Sequence, residues 1–95
     1  MDDLEFVLWS VEMDPLAPVL DVHGFSVETA LLELDFFVDR SVVHGAHGIK
    51  IIHGVGTGAL RSAITRALMA DRRIRGFRES QRPGEGGAVI YAALV

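Results

Sequence analysis

Ile49-Lys50-Ile51-Ile52-His53-Gly54-Val55-Gly56-Thr57-Gly58-Ala59-Leu60-Arg61 passes from one periodicity to another within thirteen residues. Residues 49–53 are β-branched enough for a buried strand. From position 59, Leu60, Ala63, Ile64, Ala67 and Leu68 recur at helical spacing, which predicts a helix over about 59–71. Gly54, Gly56 and Gly58 lie between the two as a tight loop. Strand, glycine loop and helix in immediate succession form one half of a βαβ unit.

The other half lies upstream. Residues 19–23 read as a short strand that stops at Gly24, and Ser26 is a helix N-cap with Glu28 in the first turn. Val27, Ala30, Leu31, Leu34, Phe37 and Val38 then define an amphipathic helix over roughly 26–42. Residues 44–48 form a glycine-punctuated turn. Downstream, residues 74–80 are a third strand and 88–94 a closing one. The segment 81–87, with Pro83 and three glycines, reads as a flexible loop. The order β-α-β-α-β-β predicts a two-layer α/β domain, a four-stranded mixed sheet with two helices. Right-handed crossovers make strands 1, 2 and 3 parallel and strand 4 antiparallel. Residues 1–18 have no clean period and are read as a leader; residues 19–95 are the domain.

Ninety-five residues suffice for one domain and exclude a two-domain enzyme. With 49% apolar residues and three prolines the chain is not disordered. The absence of cysteine removes disulfides, thiolate zinc sites and a cysteine nucleophile. The start, MDDLEF, is acidic where a signal peptide is basic, and no charge-free window is long enough to span a bilayer. The expectation is a cytoplasmic chain without membrane contact. The net charge of −4 conceals an asymmetry. Residues 1–48 hold ten acidic side chains and one basic one, whereas residues 49–95 hold three acidic and eight basic. That split predicts an acidic face and a basic face, the latter suited to a phosphate-bearing partner.

Two segments can carry chemistry. Asp21 and His23 fall on one face of strand 1, where the carboxylate orients or charges the imidazole. The plainer alternative is a turn-capping aspartate beside an edge histidine. In the second segment, glycines at alternate positions expose successive backbone N–H groups to an anion. Arg61, in the first helical turn, needs a nearby anion because the helix dipole disfavours a cation there. A tight connector is the alternative reading. In a parallel βαβ unit the carboxyl ends of strands 1 and 2 are adjacent, so Asp21, His23 and His53 converge beside the loop, at the edge where open α/β sheets bind ligands. Arg78, late in strand 3, is a further candidate for a phosphate contact. His44 and His47 are three apart but lack a third ligand, and form at best a weak metal pair.

These residues resemble the small MutS-related (Smr) domain family over about 20–94. The resemblance is carried by Leu20-Asp21-Val22-His23-Gly24, by Ile51-Ile52-His53-Gly54-Val55-Gly56-Thr57-Gly58-Ala59-Leu60-Arg61, by Phe77-Arg78 and by Gly86-Gly87. It implies a fold like the C-terminal domain of bacterial translation initiation factor three, and nuclease or structure-specific nucleic-acid-binding activity. Members occur alone or as the C-terminal domain of MutS-like proteins. The MutS-fused ones often carry arginine at the place of His23, so at that position the chain resembles the stand-alone type. The family's Asp-x-His motif maps onto Asp21 and His23, and its His-Gly-x-Gly-x-Gly motif onto His53, Gly54, Gly56 and Gly58.

The resulting expectation is an endonuclease acting on RNA or branched DNA, in a DNA-repair or ribosome-associated setting. Asp21 and His23 are its catalytic pair. His53, Gly54, Gly56, Thr57, Gly58, Arg61 and Arg78 are its nucleic-acid contacts. No cofactor is required, with Mg2+ on Asp21 left open. The alternative is a non-catalytic binding module using the same edge. A third reading takes the glycine loop as dinucleotide-binding, with Glu79 in the place of a ribose-binding acid. Oligomeric state is left open.

Overall fold

The computed structural model describes residues 3–95. Its elements are α1 (Asp3–Met13), β1 (Val19–Asp21), α2 (Val27–Val43), β2 (Gly48–Ile52), α3 (Ala59–Ala70), β3 (Ile74–Glu79) and β4 (Val89–Leu94). The strands form one mixed sheet in the order β1-β2-β4-β3. β1 and β2 are parallel, with Val19 opposite Lys50 and Asp21 opposite Ile52. β4 lies between β2 and β3 and is antiparallel to both. Strands 1, 2 and 3 therefore share one direction and strand 4 opposes them, as the crossover rule predicts.

α2 and α3 cover one face. Their apolar stripes, Ala30, Leu34, Phe37 and Val38 with Ile64 and Leu68, meet Val22, Ile49, Ile51, Ile90, Ala92 and Leu94 from the sheet. Ser26 caps α2, its hydroxyl accepting the Thr29 N–H at 3.1 Å. Arg73 ties the C-cap of α3 to the middle of α2 by reaching both Asp71 and Asp35.

The other face carries a third helix, α1, inside what the sequence presents as a leader. Val11 packs with Val89 and Tyr91, and Val7 joins the same cluster. The helix is hard to see in sequence because it is apolar on both sides: Leu8 and Val11 are buried while Phe6, Trp9 and Met13 remain exposed. With no polar stripe there is no amphipathic period to detect. Glu12, on the buried side and only 7% exposed, is held by the Arg78 guanidinium at 2.7 Å. A buried carboxylate of this kind is tolerable only when paired. No described helix is long and apolar enough to cross a membrane.

Three of the arginines are drawn out of a separate basic face. Arg73, Arg75 and Arg78 pair with Asp35, Asp3 and Glu12, so at these three places the acidic half of the sequence meets the basic half across the fold. The β3–β4 connection is also not the loose loop its composition implies. Glu85 accepts hydrogen bonds from Lys50 Nζ (2.8 Å), the Ser80 hydroxyl (2.7 Å) and the Tyr91 hydroxyl (3.0 Å). Burial opposes ionisation of Glu85, but these three donors outweigh it and hold its carboxyl down to about 2.

Two stability predictions follow from this packing. A Cβ on Gly48 would lie 2.3 Å from Val11 Cγ2 and 2.7 Å from the Ala92 carbonyl oxygen, whereas one on Gly86 meets nothing within 4 Å. Gly48→Ala is expected to cost about 1–3 kcal/mol in urea unfolding, and Gly86→Ala less than about 0.5 kcal/mol. A depressed carboxyl stabilises the fold above its ordinary value of 4.5 and loses that contribution as pH falls toward about 2. Wild-type stability should therefore fall by on the order of 3 kcal/mol across that window, and Glu85→Gln should flatten the decline.

Candidate functional site

The parallel pairing of β1 and β2 continues one bond beyond β1. The Val22 N–H donates to the Ile52 carbonyl at 2.9 Å, which places His23 directly beside Gly54. Gly54 has φ +81°, and a Cβ there would sit 2.9 Å from His23 Cβ. Both the left-handed backbone and the close approach demand glycine. The two sequence segments are thus in contact, and the convergence expected from the topology is present.

Asp21 and His23 form a tight pair. Asp21 Oδ1 lies 2.6 Å from His23 Nδ1 and also accepts the His23 backbone N–H at 3.0 Å. The hydrogen bond from the imidazole, then that from the backbone N–H, lowers the Asp21 pKa despite a small opposing effect of desolvation. An ionised Asp21 accepts only, so Nδ1 carries hydrogen and Nε2 is the ring nitrogen left to act. The His23 side chain is 70% exposed, so Nε2 is accessible to a large substrate.

The glycine loop borders an open cleft of about 450 Å³ lined by His23, Phe25, His53, the residues 54–60 and Arg61. The backbone N–H groups of Val55, Gly56, Thr57 and Gly58 make no hydrogen bond within the described chain. Gly58, at φ +92°, is the N-cap of α3 and has no side chain to satisfy the first turn. Free N–H groups at a helix N-terminus next to this loop are the donors that an anion would take. His53 is the floor of the cleft and only 3% exposed. Its Nδ1 lies 2.8 Å from the Gly54 carbonyl oxygen, while its Nε2 is buried without a partner.

The remaining expected residues are placed less simply. Arg61 lines the cleft, but its Nε is bound by Glu79, which supplies the anion that a cation in a first helical turn requires. The side chain nonetheless stays 55% exposed. The same contact occupies Glu79, which leaves the dinucleotide reading without its ribose acid. Arg78 is not at the cleft. Strand side chains alternate, so Phe77 and Glu79 face α2 and α3 while Arg78 faces α1 and is consumed by Glu12. Among the described residues, no three His, Asp or Glu side chains are grouped to hold a metal. Asp21 is a single carboxylate with one oxygen already engaged, an incomplete protein shell for Mg2+. Phe25, absent from the sequence-level candidates, stands at the mouth of the cleft; its signal was only its position next to the Asp-x-His-Gly segment.

Comparisons with known proteins show the family. The Smr domain model matches residues 20–94, and the chain belongs to the Smr domain family. In sequence it is 47% identical over 78 residues to the endonuclease MutS2 of Symbiobacterium thermophilum, and 43% identical over 76 residues to that of Thermus thermophilus. Those stretches cover 82% and 79% of this chain but 10% of each relative, so the chain spans about a tenth of the curated relatives it matches. The crystal structure of the Smr domain of Thermus thermophilus MutS2 superposes with a TM-score of 0.78 at 40% identity, over 83% of this chain and 99% of that one. YdaL, a stand-alone small MutS-related protein from Escherichia coli, shares the fold with a TM-score of 0.85 at 22% identity, over 97% of this chain and 74% of that one.

The contact between Gly54 and His23 is testable directly. Gly54→Ala should cost about 1–3 kcal/mol through its left-handed backbone. It should also shift the His23 imidazole resonances in NMR spectra, whereas Gly86→Ala should leave those resonances in place.

Proposed function

We propose that the chain is a nucleic-acid endonuclease domain in which the glycine loop holds a phosphate and His23 moves the proton. The observation that carries this reading is the juxtaposition of an accessible His23 Nε2, oriented by Asp21, with four unpaired loop N–H groups in one cleft. Membership of the Smr family, and its similarity to part of proteins named endonuclease MutS2, support the same class of activity.

The loop N–H groups and the exposed part of Arg61 offset the charge that builds on the phosphate oxygens. His23 Nε2 removes a proton from the attacking oxygen or returns one to the leaving oxygen, while Asp21 keeps the imidazole in the required tautomer. On RNA the attacking oxygen is the strand's own 2′-hydroxyl. On branched DNA it is water, activated at the same nitrogen.

The decisive experiment incubates the chain with end-labelled structured RNA and branched DNA, each with Mg2+ and with EDTA. Cleavage should fall about 10²–10⁴-fold in His23→Ala and less steeply in Asp21→Asn. RNA cleavage that persists in EDTA identifies the 2′-hydroxyl route. Retained salt-sensitive binding with no cleavage of either substrate overturns catalysis and leaves a docking module of the same cleft.

A further inference from the structure

The cleft has two unlike kinds of lining. Polar groups line it, His23, the loop N–H groups and Arg61, and so do the apolar side chains of Phe25, Val27, Val55 and Leu60. Phe25 is 42% exposed and belongs to none of the buried clusters. Its backbone is nevertheless tied down. The Phe25 N–H donates to the Val22 carbonyl at 3.0 Å, closing a turn, and Ser26 immediately after it is the α2 N-cap. An aromatic ring is thus held at the surface next to the loop N–H groups, on a short segment tied down at both ends.

A phosphate needs no apolar surface, and a duplex backbone presents only phosphate and sugar to such a lining. An unpaired base presents a π-face of the size and chemistry of the Phe25 ring. His53 lies buried beneath this lining, its Nδ1 2.8 Å from the Gly54 carbonyl oxygen, and positions the start of the loop. The cleft volume falls in the range of small-ligand sites, enough for one nucleotide.

We propose that Phe25 is a stacking platform and that the cleft takes one unpaired nucleotide, so the chain selects single-stranded or unstacked nucleic acid over duplex. This rests on the phosphate-binding reading of the glycine loop.

The test measures binding of the chain, in EDTA and at low salt, to a labelled single-stranded oligodeoxynucleotide containing 2-aminopurine and to the corresponding duplex. Wild type should prefer the single strand and quench the 2-aminopurine emission. Phe25→Ala should weaken single-strand binding about tenfold, abolish the quench and leave duplex binding unchanged, and Phe25→Trp should restore both. Equal affinity for the two forms, with Phe25→Ala without effect or weakening both alike, overturns the stacking platform alone. Failure of wild type to bind either form overturns the phosphate reading and the platform together.

Discussion

The parallel hydrogen-bonded register between β1 and β2 is the constraint on which the rest of the site depends. β1 has only three residues, yet its pairing with β2 extends through Val22 to the Ile52 carbonyl. That last bond determines where the chain turns after strand 1, and hence that His23 arrives over Gly54. A slip of one residue would reverse every side chain of β1, moving Val22 out of the core and His23 away from the loop. Val22 is fully buried against α2 and α3, so hydrophobic burial enforces the register that the chemistry requires.

The sheet separates two kinds of work. On the α2–α3 side an apolar core fixes the strand ends and the start of α3, and the cleft opens where that core stops. On the α1 side the residues are bound to one another: Glu12 with Arg78, and Glu85 with Lys50, Ser80 and Tyr91. Burial of Tyr91, and then its bond to Glu85, raises its pKa, while Glu85 raises that of Lys50 by keeping its ammonium charged. These groups secure the β3–β4 connection against the sheet, and the Ala88 carbonyl at its end accepts from both His53 and Gly54. The far side of the sheet thereby supports the geometry of the cleft.

Much of this was legible in the residues, and the exceptions have physical causes. α2, α3 and the four strands are marked by period and by punctuation, and β4, buried on both faces, by its continuous apolar run. α1 was not legible because it buries Leu8 and Val11 while also exposing Phe6, Trp9 and Met13, so no polar stripe reveals its turn. Asp21, His23 and the glycine loop were legible because their chemistry and position coincide at strand ends. Arg78 was misplaced because nearness to the loop along the chain says nothing about which face of β3 a side chain takes. The charge split in the sequence says little about individual arginines for a related reason: tertiary pairing recombines part of it, as Arg75 with Asp3 shows. Phe25 could not be distinguished from an ordinary core aromatic until its exposure was known.

The two-sided character of α1 also determines what the molecule reports optically. Trp9 is the chain's single tryptophan; it is about half exposed, and its indole lies 6.2 Å from the Phe6 ring in a tilted arrangement. It belongs to the helix on the face of the sheet opposite α2 and α3, remote from the glycine loop. Intrinsic emission is therefore a gauge of α1 docking, shifting when that helix lifts from the sheet and staying silent while the cleft fills. Occupancy of the cleft has to be followed by a chromophore carried on the ligand.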